Sequence, residues 1–290
     1  MTDVWTQVRR VEAGPVSLDG LDLDISIRKP KKDPLEFDVR TWNLRDVETW
    51  GKIETGDLCR IQLGWKEADV ETVMLGKIEH AKPTEDGGNT QYRLKGVDKS
   101  EAATKTRISG NWRNRRPDQI AADIASKLGL SPVTESTGVP ISGTWSATRD
   151  QKARAWLNEL LDYAAQQTDE PWEWFAIRGR LHFVPQSLET VDAPRLAYEN
   201  TLLSLKKKSS SDDEAEGTLE FEAMLEPQIK KGAAVYVATD QDEGAYRVNE
   251  YEFKSSTDTG DHLVRGTITP LEAEYSVGPS TYAGATGVTR

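Results

Sequence analysis

The chain has 290 residues and a formal net charge of −11, a length that predicts two or three domains. No apolar run approaches the roughly 20 residues that span a bilayer, and Met1–Arg10 has no apolar stretch of the kind a signal peptide needs. A single cysteine excludes a disulfide framework and a cysteine-based zinc site, and the surplus of 48 Asp and Glu over 37 Lys and Arg argues against wholesale coating of nucleic acid.

Residues 20–100 read as strands. Leu21, Leu23, Ile25 and Ile27 alternate with Asp22, Asp24, Ser26 and Arg28, the period of two of a half-buried strand. Asp33-Pro34 marks a turn, and Phe37 and Val39 resume the alternation. In Ile53-Glu-Thr-Gly56-Asp57 the glycine fits a turn that needs positive φ. Cys59, Ile61, Leu63 and Trp65 then share one face. A strand over Glu71–Glu79 contains Gly76, which suggests a bulge or a barrel corner. Asp86-Gly87-Gly88-Asn89 is a hairpin turn leading to Tyr92, Leu94 and Val97. Short strands with regular turns of this kind predict a small barrel.

Residues 105–190 change period. Pro117 opens a helix at a position where its missing N–H costs nothing. Ile120, Ile124 and Leu128 mark its apolar face, and Gly129 stops it. A second helix carries Ala153, Trp156, Leu157, Leu160, Leu161, Ala164 and Ala165 on one broad stripe. Lys152, Arg154, Asn158, Glu159 and Asp162 lie opposite. Trp172–Ile177 and Leu181–Pro185 form a hairpin turned by Arg178-Gly179-Arg180. The segment is an α/β module of two helices on a hairpin.

Residues 195–275 return to strands: Leu202–Leu205, Leu219–Leu225, Ala234–Ala238, Tyr246–Phe253 and His262–Ile268. Lys206–Glu214 is an apolar-free loop or linker. Ser276–Arg290 has no periodicity and reads as a flexible tail. A weak repeat links the two strand-rich segments. Ile53, Gly56, Cys59 and Ile61 have the spacing of Ile229, Gly232, Val235 and Val237, and Gly76 with Ile78 is echoed by Gly244 with Val248. The pattern is a turn glycine feeding a barrel strand, twice.

No catalytic constellation is legible. There is no Gly-x-Ser-x-Gly elbow and no phosphate loop. His80, His182 and His262 lie far apart without metal-ligand spacing, and His182 reads as a strand-surface residue. Cys59 reads as a small core hydrophobe, and Asp22 and Asp24 as solvated. No catalytic, cofactor-binding or metal-binding residue is assigned, and no cofactor is implied. One basic cluster stands out: Lys105, Arg107, Arg113, Arg115 and Arg116 around Trp112. It reads as a solvated loop, a subunit contact or a stripe facing an anion such as DNA.

Taken in order, several of these stretches resemble the phage tail hub (baseplate hub) family of tailed phages and contractile injection systems. They are Thr41-Trp-Asn43-Leu44, Ile53-Glu-Thr-Gly56-Asp57, Leu63-Gly64-Trp65, Val73-Met-Leu75-Gly76-Lys-Ile78 and Leu94-Lys-Gly-Val97-Asp98. The Pro-started helix, Leu157–Ala164, Gly179-Arg-Leu181-His-Phe183, Leu225-Glu-Pro227-Gln-Ile229-Lys-Lys-Gly232 and Glu243-Gly244-Ala-Tyr246-Arg247-Val248 extend the likeness over roughly residues 20–270. The chain departs from the family at Ala233, where a Gly-Asp turn is commoner after Gly232, and in its acidic composition.

The resemblance implies a mainly β fold with an α/β insert, two similar small β-barrels flanking the two-helix module. The boundaries are 1–104 for the first barrel with an N-terminal arm, 105–190 for the module, 191–275 for the second barrel and 276–290 for the tail. It also implies a structural, non-enzymatic role as a homotrimer in the virion tail tip or baseplate, assembled in the host cytoplasm and serving host cell entry and genome ejection. Its partners would be a tail tube or distal tail protein above, a tail spike, fibre or tip protein below, and a tape measure protein. Nucleic acid contact would be at most transient, and no segment would span a membrane. Two other readings stay open: a tail-tip cell-wall-degrading enzyme, and a β-barrel module binding carbohydrate or nucleic acid.

Overall fold

The computed structural model describes residues 6–30, 35–42, 50–68, 70–86, 89–148, 150–169, 171–185, 193–208 and 217–271. Asp33-Pro34, Asn43-Leu44, Gly87-Gly88, most of the Lys206–Glu214 linker and the tail from Ser276 lie outside the described residues. The chain divides into two compact units, residues 1–96 with 189–290, and residues 97–188.

The first strands are β1 (Gln7–Ala13), β2 (Val16–Ser17), β3 (Leu23–Lys29), β4 (Glu36–Thr41), β5 (Leu58–Trp65), β6 (Val70–Asp86) and β7 (Asn89–Asp98). Alternation sets their faces as expected: Leu23, Ile25, Ile27, Phe37 and Val39 are buried, as are Cys59, Ile61, Leu63 and Trp65. Residues before 20 also join the sheet, because Val11, Ala13, Val16 and Leu18 supply buried apolar positions and β1 pairs with β5 from Gln7↔Trp65 to Ala13↔Cys59. The bulge expected at Gly76 falls instead at Val73, since Ile61 faces Met74 while Gln62 faces Thr72. Gly76 itself pairs regularly with Cys59.

The middle of the chain gives α1 (Lys99–Thr104), β8 (Gly110–Arg113), α2 (Pro117–Lys127), β9 (Ser131–Thr134), β10 (Thr144–Ala147), α3 (Ala153–Thr168), β11 (Trp172–Ile177) and β12 (Arg180–Pro185). Pro117 occupies the first turn of α2, and Gly129 follows its end at φ +70°. Arg178 and Gly179, at φ +52° and +79°, make the tight turn between β11 and β12. The hairpin gains a third, parallel strand, β9, alongside β12, and β8 pairs with β10 in a separate two-stranded sheet. Ile120, Ile124, Trp156, Leu157, Leu160, Leu181 and Phe183 share one core. Asp98 ties this unit together. It accepts from the Ser100 amide (2.8 Å) and the Arg178 amide (3.1 Å), while the Ser100 hydroxyl accepts from the Gly179 amide (2.6 Å).

The last strands are β13 (Arg195–Leu196), β14 (Leu202–Lys207), β15 (Leu219–Met224), β16 (Ala234–Ala238), β17 (Glu243–Ser256) and β18 (His262–Pro270). They repeat the first set. The order β3-β4-β7-β6-β5 matches β14-β15-β18-β17-β16, and β3 pairs antiparallel with β17 to join both in one sheet.

The turn glycines are equivalent in detail. Gly56 (φ +104°) donates to the Ile78 carbonyl at 2.7 Å, and the Ile78 amide returns to Asp57 at 2.8 Å. Gly232 (φ +79°) donates to Val248 at 2.8 Å, and the Val248 amide returns to Ala233 at 2.9 Å. The expected match of Gly76 to Gly244 does not hold. Gly76 faces Cys59, whereas the residue facing the equivalent Val235 is Tyr246.

A second equivalence appears only in three dimensions. A Cβ on Gly96 would lie 2.7 Å from the Phe37 ring, and one on Gly266 would lie 2.8 Å from the Phe221 ring. Each half therefore lays a phenylalanine over a strand glycine. The fold is mainly β, two similar barrel-type halves with an inserted two-layer α/β module.

Candidate functional site

Within the barrel unit, the best-organised group of polar side chains is a buried seam where β1 and β5 meet β17 and β18. Ser255 and His262 face each other across the β17–β18 hairpin and are 0% and 3% exposed. The Ser255 hydroxyl lies 2.7 Å from His262 Nδ1, and His262 Nε2 lies 3.0 Å from the Gly64 carbonyl. A carbonyl can only accept, so Nε2 carries the proton and Nδ1 accepts from the hydroxyl. Arg9 Nε donates to the same hydroxyl at 2.6 Å, and its Nη2 to the Ser256 carbonyl at 2.9 Å. Trp65 packs edge-on against the imidazole at 4.7 Å between centroids and donates from Nε1 to the Leu225 carbonyl at 3.0 Å.

Burial pushes His262 down to about 4, against the pull of the Gly64 hydrogen bond and with a further push from Arg9. Burial also lowers Arg9.

This is a serine–histidine pair built by four separate strands, of which only β17 and β18 are neighbours in the chain. Its chemistry is that of a clamp. A nucleophilic serine needs an exposed Oγ and a histidine free to take its proton and pass it on. Here the hydroxyl is enclosed, and the far ring nitrogen is spent on a main-chain carbonyl.

The other candidates separate. His80 is exposed on β6. His182, expected on a strand surface, is buried and stacked on Phe175 at 4.5 Å and 10°. Its strand β12 is the central one of three, so both of its flanks are paired. Cys59 is fully buried, and burial pushes its thiol up to about 12, which removes thiolate character at neutral pH. Asp22 is exposed. Asp24 is half-buried rather than solvated, and burial raises its carboxyl above the usual range.

The basic cluster lies in the α/β unit and does not surround an exposed tryptophan. Trp112 is buried, with ring centroids 5.3 Å from Trp145, which in turn lies 5.6 Å from Trp156. Its Nε1 donates to Asp123 at 2.8 Å, and Lys127 sits 4.7 Å over its ring. Arg116 turns inward to Asp118 at 3.1 Å. Although burial opposes its charge, Asp118 is held below the usual carboxylate range by Arg116 and by the Thr137 amide and hydroxyl. Lys105, Arg107, Arg113 and Arg115 remain exposed.

Among the described residues, no helix is long and apolar enough to cross a membrane. No protein-family model and no curated protein sequence matches the chain. Solved structures do match it. A 43 kDa tail protein of prophage MuSo2 from Shewanella oneidensis is similar with a TM-score of 0.65 at 12% identity, over 91% of this chain and 98% of that one. A tail protein from Neisseria meningitidis MC58 gives 0.65 at 12%, over 91% and 96%. An Escherichia coli component of the type VI secretion system, described as similar to the T4 bacteriophage tail proteins gp27 and gp5, gives 0.62 at 11%, over 94% and 80%. At these identities the likeness speaks for architecture, and it spans both units and nearly the whole of each of the two tail proteins. The chain thus has the fold of phage tail proteins and of a type VI secretion component, the fold its resemblance to the tail hub family implies.

Proposed function

We propose that the chain is a structural tail hub protein of a tailed virus or related injection machine. Three copies form a ring that joins a sixfold tail tube to a threefold tail tip. The observation that carries this reading is the duplication: β3-β4-β7-β6-β5 and β14-β15-β18-β17-β16 share one strand order, one glycine turn and one phenylalanine-over-glycine contact. A chain with two similar halves, repeated three times about an axis, offers six similar surfaces to a sixfold partner and three whole chains to a threefold one. The partners proposed are a tail tube or distal tail protein on one side, a spike, fibre or tip protein on the other, and a tape measure protein. The place proposed is the virion tail tip, after assembly in the host cytoplasm.

The role proposed is non-enzymatic. The Ser255–His262 pair, which among the described residues comes nearest to a catalytic arrangement, is enclosed and committed to the main chain. Function on this fold then rests on extended surfaces rather than a cleft.

The test is the mass of the purified chain by light scattering, followed by imaging of the assembled particle. The expected results are three times 32.3 kDa and a threefold ring at the tail tip. Six or twelve equal copies around the axis would assign the chain to a tube or baseplate ring instead.

A further inference from the structure

Charge is unevenly divided between the two units. Residues 97–188 hold 12 Lys and Arg against 11 Asp and Glu, a net charge of +1, which leaves −12 on the barrel unit. Five of the twelve cations fall within Lys105–Arg116, where no acid intervenes.

The fold turns much of that stretch into one face. In β8, Trp112 points into the core, so Asn111 and Arg113 point out. The partner strand β10 sets Ser146 opposite Asn111 and Thr144 opposite Arg113, all exposed. This outer face bears hydroxyls, an amide and a guanidinium, and no carboxylate. Arg115 follows it, exposed, and neither Arg113 nor Arg115 has an ion pair among the described residues. Arg107 is also exposed, within electrostatic reach of Asp150.

Single-stranded nucleic acid needs aromatic platforms as well as cations, and every tryptophan near this face is turned inward. The barrel unit's −12 would also repel a polyanion drawn in at long range. An acidic protein surface meets neither obstacle, and the chain carries one. Beside β16 an open groove of about 550 Å³ is bordered by Glu199, Asp240, Asp242 and Glu243. Tyr198 stands in it 58% exposed. Arg195 pairs with Glu199 at 3.4 Å and Tyr236 donates to Glu243 at 3.0 Å, while Asp240 and Asp242 have no ion pair among the described residues. An exposed tyrosine beside carboxylates suits arginine, which stacks and forms charge-assisted hydrogen bonds at once.

We infer that the Arg113/Arg115 face of one copy docks on the acidic barrel unit of the next, at the groove around Tyr198, as a head-to-tail contact of a closed ring. The inference rests on the trimeric reading above and names the surfaces that meet. Two different patches repeated around an axis form the kind of heterologous interface that closes a ring.

The experiment is sedimentation of the full-length chain at 50 and 500 mM NaCl. The variants are Arg113→Glu/Arg115→Glu, Asp240→Arg/Asp242→Arg, and all four together. Each double variant should raise the dissociation constant of the trimer about tenfold or more, the scale of close charge pairs across interfaces. High salt should weaken the wild type, and the fourfold variant should recover the trimer. Recovery also shows that the doubles still fold.

A wild-type trimer indifferent to both reversals overturns this inference and leaves the trimeric reading standing, whereas a chain monomeric at every concentration overturns both. Failure of the fourfold variant to recover overturns the pairing of these two surfaces. If Arg113→Glu/Arg115→Glu abolishes binding of a fluorescent single-stranded oligonucleotide while the trimer persists, the face belongs to nucleic acid and the inference falls.

Discussion

The seam around His262 makes stability depend on pH in a direction that can be worked out. In the unfolded chain the imidazole titrates near its ordinary value of about 6.5. In the folded chain burial holds it at about 4. The native state therefore binds fewer protons, so this residue's contribution is fully present above about pH 6.5 and is lost as pH falls towards 4. Integrating between those two values gives a loss of about 2 kcal/mol from pH 7 to pH 5, and about 3 kcal/mol by pH 4.

The loss has a structural cause. A second proton on Nδ1 would face the Ser255 hydroxyl, which already receives Arg9 Nε, and would place a positive imidazolium beside that guanidinium. Carboxylates also titrate in this range, so the measurement must be a difference. Wild type and His262→Gln are unfolded with urea at pH 7 and pH 5. The wild-type advantage should shrink by about 2 kcal/mol. An advantage that stays constant within about 0.5 kcal/mol would mean that His262 is not held neutral by this site, and the reading of the seam as a closed clamp would fail.

Two further outcomes follow from packing. A Cβ on Gly96 would lie 2.0 Å from the Lys77 carbonyl and 2.7 Å from the Phe37 ring; on Gly266 it would lie 2.4 Å from the Glu250 carbonyl and 2.8 Å from the Phe221 ring. Both alanine variants should lose at least the roughly 1–3 kcal/mol typical of overpacking, Gly96→Ala the more, and Phe37→Leu should restore only part because a main-chain oxygen still blocks the space. Equal melting temperatures for wild type and both variants would refute this. Trp156, 7% exposed in the core of the α/β unit, should cost about 3–5 kcal/mol when replaced by alanine, seen as lost soluble protein and a lower melting temperature. An unchanged melting curve would show α3 to be wrongly oriented.

The local parts of this architecture were readable because they depend on spacing along one segment. The stripe on α3, the proline start of α2 and the alternation in β3 and β5 each follow from a single period. The glycine turns at Gly56 and Gly232 can be matched by sequence because the residues around them keep one offset. The phenylalanine-over-glycine pairs escape such matching, since hairpins of different length place Phe37 and Gly96 at other offsets from Gly56 than those of Phe221 and Gly266 from Gly232.

The seam was hidden for a related reason. Ser255 and His262 face each other across one hairpin, and the turn residues Asp258 and Gly260 between them were an available clue. Arg9 and Gly64, however, arrive from the opposite end of the sheet only when it curls. His182 departs from its expected surface position because alternation along one strand does not reveal the cross-strand Phe175 that stacks on it.

The edges of the barrel unit bear on how copies would meet. β3, the edge of the first half, pairs with the part of β17 beyond the stretch that β16 occupies, which makes a single sheet, so the β3 edge is closed to a second copy. At one end of the strand order stands β14, which among the described residues pairs only with β15. It is a poor template for another strand. Its register breaks between Leu202 and Ser204, and Lys206 and Lys207 stand exposed at its end. An irregular, lysine-bearing edge is the arrangement that discourages strand addition. A ring of such chains would then be held by side-chain surfaces rather than by extending the sheet from copy to copy. Contacts made by side chains across a polar interface respond to salt and to single charges, whereas an extended main-chain ladder would respond to neither. A trimer that survives 500 mM NaCl unchanged would therefore turn attention back to the edges, and to Leu203, 51% exposed at the break in β14.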